Sequence, residues 1–378
     1  MKIDRYEVMH REDGTISCLD ECPNHSVFKA MDMDLRIPVI LKVIRPGSLS
    51  DESARNEIAR EARAMALVRH GNIAQVYRFV NEEKACFFAR EYIEGETAQR
   101  IVMADGPMTP RKALSVALQV ARALEAMKKM DLAHRNIRPS SIMVSPEGAV
   151  KLIGFELARI PPNLQGDAGE AASFPSPAGS PEYASPEQLN EEFMDVASDM
   201  YSLGASLWFL LTGRPPFRGP AAHVMAHHLQ SAPPFDELPS FPPEILNLLA
   251  HLLEKDPARR PAAPSALVTE IERCLANLGP EFTGPSALAS PKAAPVNLSL
   301  PKMTSAREPV EEMPRRFLFG EALAGTVIAI IVYFILSRPI ETPPAAAHAP
   351  AALPSASMPA VSGDPVEQNQ ADNTTSSR

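Results

Sequence analysis

His134 to Val144 reads HRNIRPSSIMV. The stretch is a polar run ending in three apolar residues, and it carries an imidazole, two guanidinium groups, a carboxamide and two hydroxyls. It lacks a carboxylate. Asn136 accepts a hydrogen bond but cannot hold a proton near neutral pH. Ser141 offers a neutral hydroxyl, a poor ligand for a hard cation that prefers carboxylate and phosphate oxygens.

Working outward, two textures flank this loop. Residues 5 to 95 hold short β-prone runs such as PVILKVI and ACFFAREYI, separated by one helical pattern from about Asp51 to Val68. Beyond residue 108 helices dominate. Thr109 and Pro110 make a cap and first-turn pair, Leu114, Ala117, Leu118, Ala121 and Leu124 line one face, and Lys128 and Lys129 sit where the helix dipole favours cations. The run SDMYSLGASLWFLLTG is apolar on nearly every side and predicts a helix buried in the middle of that lobe. The expected fold class is α+β: a small β-rich lobe, about residues 1–94, then a larger helical lobe, about 95–277. A cleft between such lobes is the default place for a ligand.

An apolar fraction of 45% sustains a sizeable core. The formal charge of −9 comes without a basic stripe, which argues against a nucleic-acid partner. The four cysteines, Cys18, Cys22, Cys86 and Cys274, fit reduced cytosolic thiols. Cys18 and Cys22 lie close together, but the second half of a zinc site is absent and the histidines do not supply it, so no metal is expected there.

The start, MKIDRYEVMH, has no apolar core of signal-peptide length. Residues 317–336, FLFGEALAGTVIAIIVYFIL, are long enough at about 1.5 Å per residue to cross a hydrocarbon core of about 30 Å, and predict one transmembrane helix. Lys302, Arg307, Arg315 and Arg316 precede it, and only Arg338 follows before the terminal Arg378. The positive-inside rule then places the N-terminal part in the cytoplasm and the tail outside. Residues 278–314 read as a Pro/Ser/Ala-rich juxtamembrane linker, and residues 337–378 as a disordered extracytoplasmic tail.

The order of the motifs resembles the protein kinase family, and most closely the membrane-anchored serine/threonine kinases of bacteria, over roughly residues 6 to 277. Lys42 in VILK falls where the family keeps its phosphate-pairing lysine, and Glu61 where the first helix supplies that lysine's partner. HRNIRPSSIMV resembles the catalytic loop H-R-D-L-x-x-x-N, and VKLIGFELAR covers the place of the magnesium-binding D-F-G. GSPEYASPEQ matches the end of the activation loop, Asp199 opens the buried helix, and Arg260 resembles the arginine that pairs with Glu187. The resemblance implies a bilobal fold over residues 1–277 with these residues in those roles.

Against that pattern the reacting positions are substituted. Asn136 replaces the base, Ser141 the second magnesium ligand, and Gly154 the D-F-G aspartate, with Glu156 in place of its glycine. Arg138 keeps a cation where the family has lysine near the transferred phosphate. The phosphate-covering glycines would fall in DECPNH, residues 20 to 25, where Asp20, Glu21 and Pro23 repel rather than cradle phosphate. The segment from Tyr6 to Ala30 is also longer than the family's hairpin. Ile40 stands where the family prefers alanine against the adenine, and Arg90 lines the back of the pocket before the hinge Glu91–Ile93; its expected partner is Glu61.

These losses imply a pseudokinase-type scaffold or regulator whose partners are proteins, an active kinase or its substrates, with the membrane reached through one helix. The alternatives are an active atypical kinase transferring the ATP γ-phosphate, for which ATP and magnesium would be cofactors, and a sensor of a non-ATP ligand in the cleft. Ser173 and Ser176 in the activation-loop region are candidate phosphate acceptors.

Overall fold

The computed structural model describes residues 1–164, 180–238 and 241–279. Residues 280–314 of the expected linker, the segment 317–336, the tail, Ser173 and Ser176 lie outside the described residues. Among the described residues no helix is long and apolar enough to cross a membrane.

The first lobe is an antiparallel sheet of β1 (Lys2–Ile3), β2 (Tyr6–Val8), β3 (Cys18–Glu21), β4 (His25–Asp32), β5 (Ile37–Ile44), β6 (Val76–Glu82) and β7 (Ala85–Glu91). Its order is β1-β2-β4-β5-β7-β6, with β3 also on β4. β2 and β3 take successive stretches of one edge of β4: Val8 faces Ala30, and Cys18 faces Phe28. Together they act as a single strand interrupted by residues 9–17. That excursion is closed by the His10–Ile16 bridge and by the Arg11 amide, which donates to the Thr15 carbonyl at 2.8 Å. The insertion accounts for the extra length between Tyr6 and Ala30.

Alternation along β5 sorts its side chains. Val39 and Leu41 join Tyr6, Ala30, Phe87 and Ala89 in a small core on one face. Ile40, Lys42 and Ile44 point to the other face, where Ile44 meets the main core with α1 (Glu52–Leu67). α1 begins at Asp51, whose carboxylate accepts from the Ser53 and Ala54 amides, and buries Ala54, Ile58, Ala62 and Met65. The helical pattern from Asp51 to Val68 therefore corresponds to this helix with its two caps.

The second lobe runs through β8 (Glu96–Thr97), α2 (Ala98–Asp105), α3 (Pro110–Lys128), β9 (Ile142–Val144), β10 (Val150–Leu152), α4 (Pro186–Leu189), α5 (Val196–Thr212), α6 (Ala221–Gln230), α7 (Pro243–Leu252) and α8 (Pro264–Asn277). α3 is capped by the Thr109 hydroxyl, with Pro110 in its first turn. α5 is buried along almost its whole length and ends at Gly213, whose φ of 75° closes the helix in the left-handed region. Gly204 lets α5 and α7 approach closely: a Cβ there would lie 2.7 Å from Cβ of Leu252.

The lobes meet along the segment after α1. The Leu152 amide donates to the Asn72 carbonyl, and the Ala74 amide donates back to the Leu152 carbonyl. Lys151 on β10 reaches the hinge carboxylate of Glu91 at 2.9 Å. These contacts set β5, α1 and the loop before β9 around one cleft.

Candidate functional site

Lys42 and Glu61 meet in the cleft wall with Nζ 2.6 Å from Oε2, both buried. Burial pulls the Lys42 ammonium down, but the Glu61 and Glu156 carboxylates outweigh it and hold it above its usual value. Burial pushes the Glu61 carboxyl up, against the pull of Lys42. Arg90 does not take Glu61. Its guanidinium donates to the carbonyl of Glu91 at 3.2 Å, near enough to Glu61 to feel its charge. Two cations compete for one carboxylate and the shorter approach, from Lys42, wins. A further bond between the lobes comes from Arg60 on α1, whose Nε donates to the Glu156 carbonyl at 2.9 Å.

The loop carrying Asn136 is held from behind by Asp199. Its carboxylate accepts from the His134 amide at 2.8 Å and the Arg135 amide at 2.7 Å. Arg135 takes φ 61°, a left-handed conformation uncommon for a side-chain-bearing residue, and the Asp199 bonds help hold it there together with the Gln188 side-chain amide, which donates to the Arg135 carbonyl at 3.1 Å. His134 packs against Phe155 with ring centroids 4.3 Å apart, and its Nε2 lies 3.1 Å from the Ile153 carbonyl. Burial pushes the His134 imidazole down to about 4. His134 is a neutral packing residue of the loop, as core packing requires.

At the substituted positions the polar groups close on one another. Asn136 Nδ2 donates to Oε1 of Glu156 at 3.1 Å and to the Gly154 carbonyl at 3.3 Å. The Ser141 hydroxyl accepts from the Arg138 amide at 3.0 Å and donates to the Arg138 carbonyl at 2.8 Å. Arg138 donates to the Ser180 hydroxyl at 2.9 Å. Gly154 takes φ 80°, and a Cβ built on it would lie 3.3 Å from Oε2 of Glu156. Oε2 itself is buried and has no hydrogen-bond partner among the described residues. The contact of Glu156 with Asn136 is the feature that sequence reasoning did not reach.

Magnesium in this family is held by the two positions that are Gly154 and Ser141 here. Gly154 brings no ligand atom and the Ser141 hydroxyl is engaged on both sides, so the family's donor set does not fit the ion. Among the described residues, the anionic oxygen beside this position is Oε2 of Glu156, 3.3 Å from a Cβ built on Gly154.

The β3–β4 turn occupies the place of the phosphate loop. Glu21 pairs with Arg45, the Cys22 amide donates to the His25 carbonyl, and Pro23 has no amide to give. The sequence reading expects no metal in this turn; the structure brings Asp20, Cys22 and His25 together there, their ligand atoms all within 4.8 Å of one another. The histidine missing from the sequence argument is His25, across the turn from Cys22. Burial pushes its imidazole down to about 4 and, with the Asp20 carboxylate, pushes the Cys22 thiol up.

Beneath the cleft, Arg260 grips Glu187 with two bonds of 2.7 and 2.8 Å, both residues buried. Arg260 holds the Glu187 carboxyl below its usual range against the opposing effect of burial. The guanidinium also donates to the carbonyls of Ala197, Glu254 and Lys255. It thereby ties the end of the activation segment to the helical lobe.

A seven-stranded lobe on a helical lobe, with a buried lysine–glutamate pair in the cleft and an aspartate-braced H-R loop below it, defines a protein-kinase-like module. The comparison with known families agrees: the protein kinase domain matches residues 24–270. The chain belongs to the protein kinase family. It is 32% identical over 257 residues to the probable serine/threonine-protein kinase PknB of Bifidobacterium longum, covering 65% of this chain and 37% of that protein. It is 34% identical over 257 residues to the serine/threonine-protein kinase pkn3 of Myxococcus xanthus, covering 65% of this chain and 47% of that one. To the serine/threonine-protein kinase PknL of Mycobacterium tuberculosis it is 32% identical over 272 residues, covering 69% of this chain and 65% of the relative. The matched region thus spans less than two thirds of the length of each of these relatives.

Proposed function

We propose that this chain is a pseudokinase-type regulator: a kinase-shaped module that binds protein partners, an active kinase or its substrates, and does not transfer phosphate. The observation that carries the reading is the Asn136–Glu156 bond beside Gly154. The base position is a carboxamide, its donor is spent on a carboxylate, and the principal metal position has no side chain. A general base is worth roughly 10²–10⁴ in rate and the metal stabilises the transferring charge, so the losses act by separate routes. The retained pairs Lys42–Glu61 and Glu187–Arg260 and the Asp199 brace serve the shape of the module, which a binding partner reads. Residues 317–336 would anchor it as a single-pass membrane protein, with this domain cytoplasmic, the tail outside, and no role for nucleic acid.

The test is phosphoryl transfer from γ-labelled ATP by the full-length chain, to itself and to basic protein substrates, with magnesium or manganese. The reading expects no incorporation above that of Lys42→Ala; incorporation that Lys42→Ala abolishes overturns it.

One observation favours a second reading, an active kinase of altered chemistry. The unpartnered Oε2 of Glu156 lies beside the point where an aspartate at 154 would begin its side chain. A transfer activity lost in both Lys42→Ala and Glu156→Gln would select this reading.

A further inference from the structure

We propose that Asp20, Cys22 and His25 form a zinc site at the tip of the β3–β4 hairpin, with the fourth position open to water or an outside donor. The three ligand atoms already lie within 4.8 Å of one another. Zinc bonds of about 2.0–2.3 Å put tetrahedral ligands about 3.3–3.8 Å apart, so closure needs side-chain shifts of about an ångström. One edge is already near that length, with Cys22 Sγ 3.7 Å from Oδ2 of Asp20.

The hairpin backbone holds this arrangement without the ion. The Cys22 amide donates to the His25 carbonyl at 2.9 Å, and the Asn24 carbonyl accepts from the Arg45 amide at 2.9 Å. Asp20 Oδ1 accepts from the Glu21 amide at 2.9 Å, which leaves Oδ2 turned to the thiol. Among the described residues neither ring nitrogen of His25 has a hydrogen-bond partner, so a half-buried imidazole waits there unengaged. Glu21, the other acid, is taken by Arg45. Cys18, the neighbouring thiol, is turned away and donates to the Asp20 carbonyl.

Thiolate, imidazole and carboxylate together suit a borderline first-row ion and not magnesium, which demands oxygen. On binding, the thiol proton leaves to solvent, and carboxylate plus thiolate balance the 2+ charge around a neutral imidazole. Asp20 is exposed and the other two are half-buried, so the ion has a path in. The site would stiffen by ligation a turn that bound phosphate orders in the family's glycine loops.

The experiment is titration of the full-length chain with Co²⁺ as the spectroscopic probe, followed by displacement with Zn²⁺. Expected are tetrahedral visible bands and a near-ultraviolet thiolate-to-cobalt band that saturate at one equivalent and vanish on adding zinc. Even outer partners of a metal ligand are worth about 10–100-fold in affinity, so Cys22→Ser and His25→Ala should each weaken binding by at least about tenfold. Cys18→Ser should bind as the wild type does. A missing thiolate band, one that survives Cys22→Ser, or one lost in Cys18→Ser overturns the proposal. X-ray absorption of the zinc-loaded wild-type chain reads the same claim without variants: one sulfur neighbour is expected, and none or more than one contradicts it.

Discussion

The carboxamide of Asn136 donates to the carboxylate of Glu156 at 3.1 Å, joining the position of the family's base to the residue two beyond the position of its metal ligand. The substitutions at 136, 154 and 156 are therefore one arrangement. Restoring the base alone should harm it. Asn136→Asp sets two carboxylates about 3 Å apart, where both can be ionised together only at a cost of order 1–2 kcal/mol. Thermal unfolding should show this variant melting several degrees below wild type at pH 8 and recovering much of the loss near pH 5, where one carboxyl takes a proton. Glu156→Gln in the same chain should abolish the difference. An Asn136→Asp chain as stable as wild type at pH 8 would contradict the pairing.

Arg260 and Glu187 form a buried two-bond ion pair whose guanidinium also satisfies three carbonyls. Removing one partner strands the other charge, and Arg260→Leu should cost about 3–5 kcal/mol. Urea unfolding measures it through the midpoint. A loss under about 1 kcal/mol would mean that the pair is decoration on the fold.

Much of this was legible in the sequence because local and global signals agree. The cap at Asp51, the periodicity to Val68 and the all-round apolar run of α5 each specify an element by composition alone. Lys42, Glu61, Glu187 and Arg260 were placed by motif order, and the geometry joins them as pairs. What was not legible depends on register and distance. Whether Lys42 or Arg90 takes Glu61 is decided by which cation the pleat brings closer. The Asn136–Glu156 bond depends on the turn at Gly154, with φ 80°. His25 meets Cys22 only because the hairpin closes at residues 22–25. The split between β2 and β3 carries only a local mark, the turn at Asp13-Gly14, which does not say that the segments on both sides pair with β4.

His134 and His228 are fully buried and held neutral, their imidazoles pushed down to about 4 and about 3 by burial. An unfolded chain takes up those protons as pH falls through about 6.5, while the native state does not, so the native state loses stability on that side and is indifferent above it. The contribution of these two histidines should fall progressively from about pH 6.5 toward pH 4, opposed in that window by the Asp199 carboxyl, which burial pushes up to about 7. His228 sits between the Tyr201 hydroxyl and the Glu182 carbonyl, so His228→Gln keeps a polar group there without the titration. The slope of unfolding free energy against pH in that window should shrink by about one proton, about 1.4 kcal/mol per pH unit. An unchanged slope, measured by urea unfolding at half-unit steps, would show that His228 does not resist protonation.

The central claim is that the cleft has lost its metal–nucleotide site. It is tested most directly by thermal unfolding of the full-length chain with ATP alone, magnesium alone and both. A ligand at 100 times its Kd stabilises the folded state by about 2.7 kcal/mol, a shift of a few degrees. The account predicts that millimolar ATP and magnesium together raise the melting temperature no more than either does alone. A rise of several degrees that requires both would contradict it.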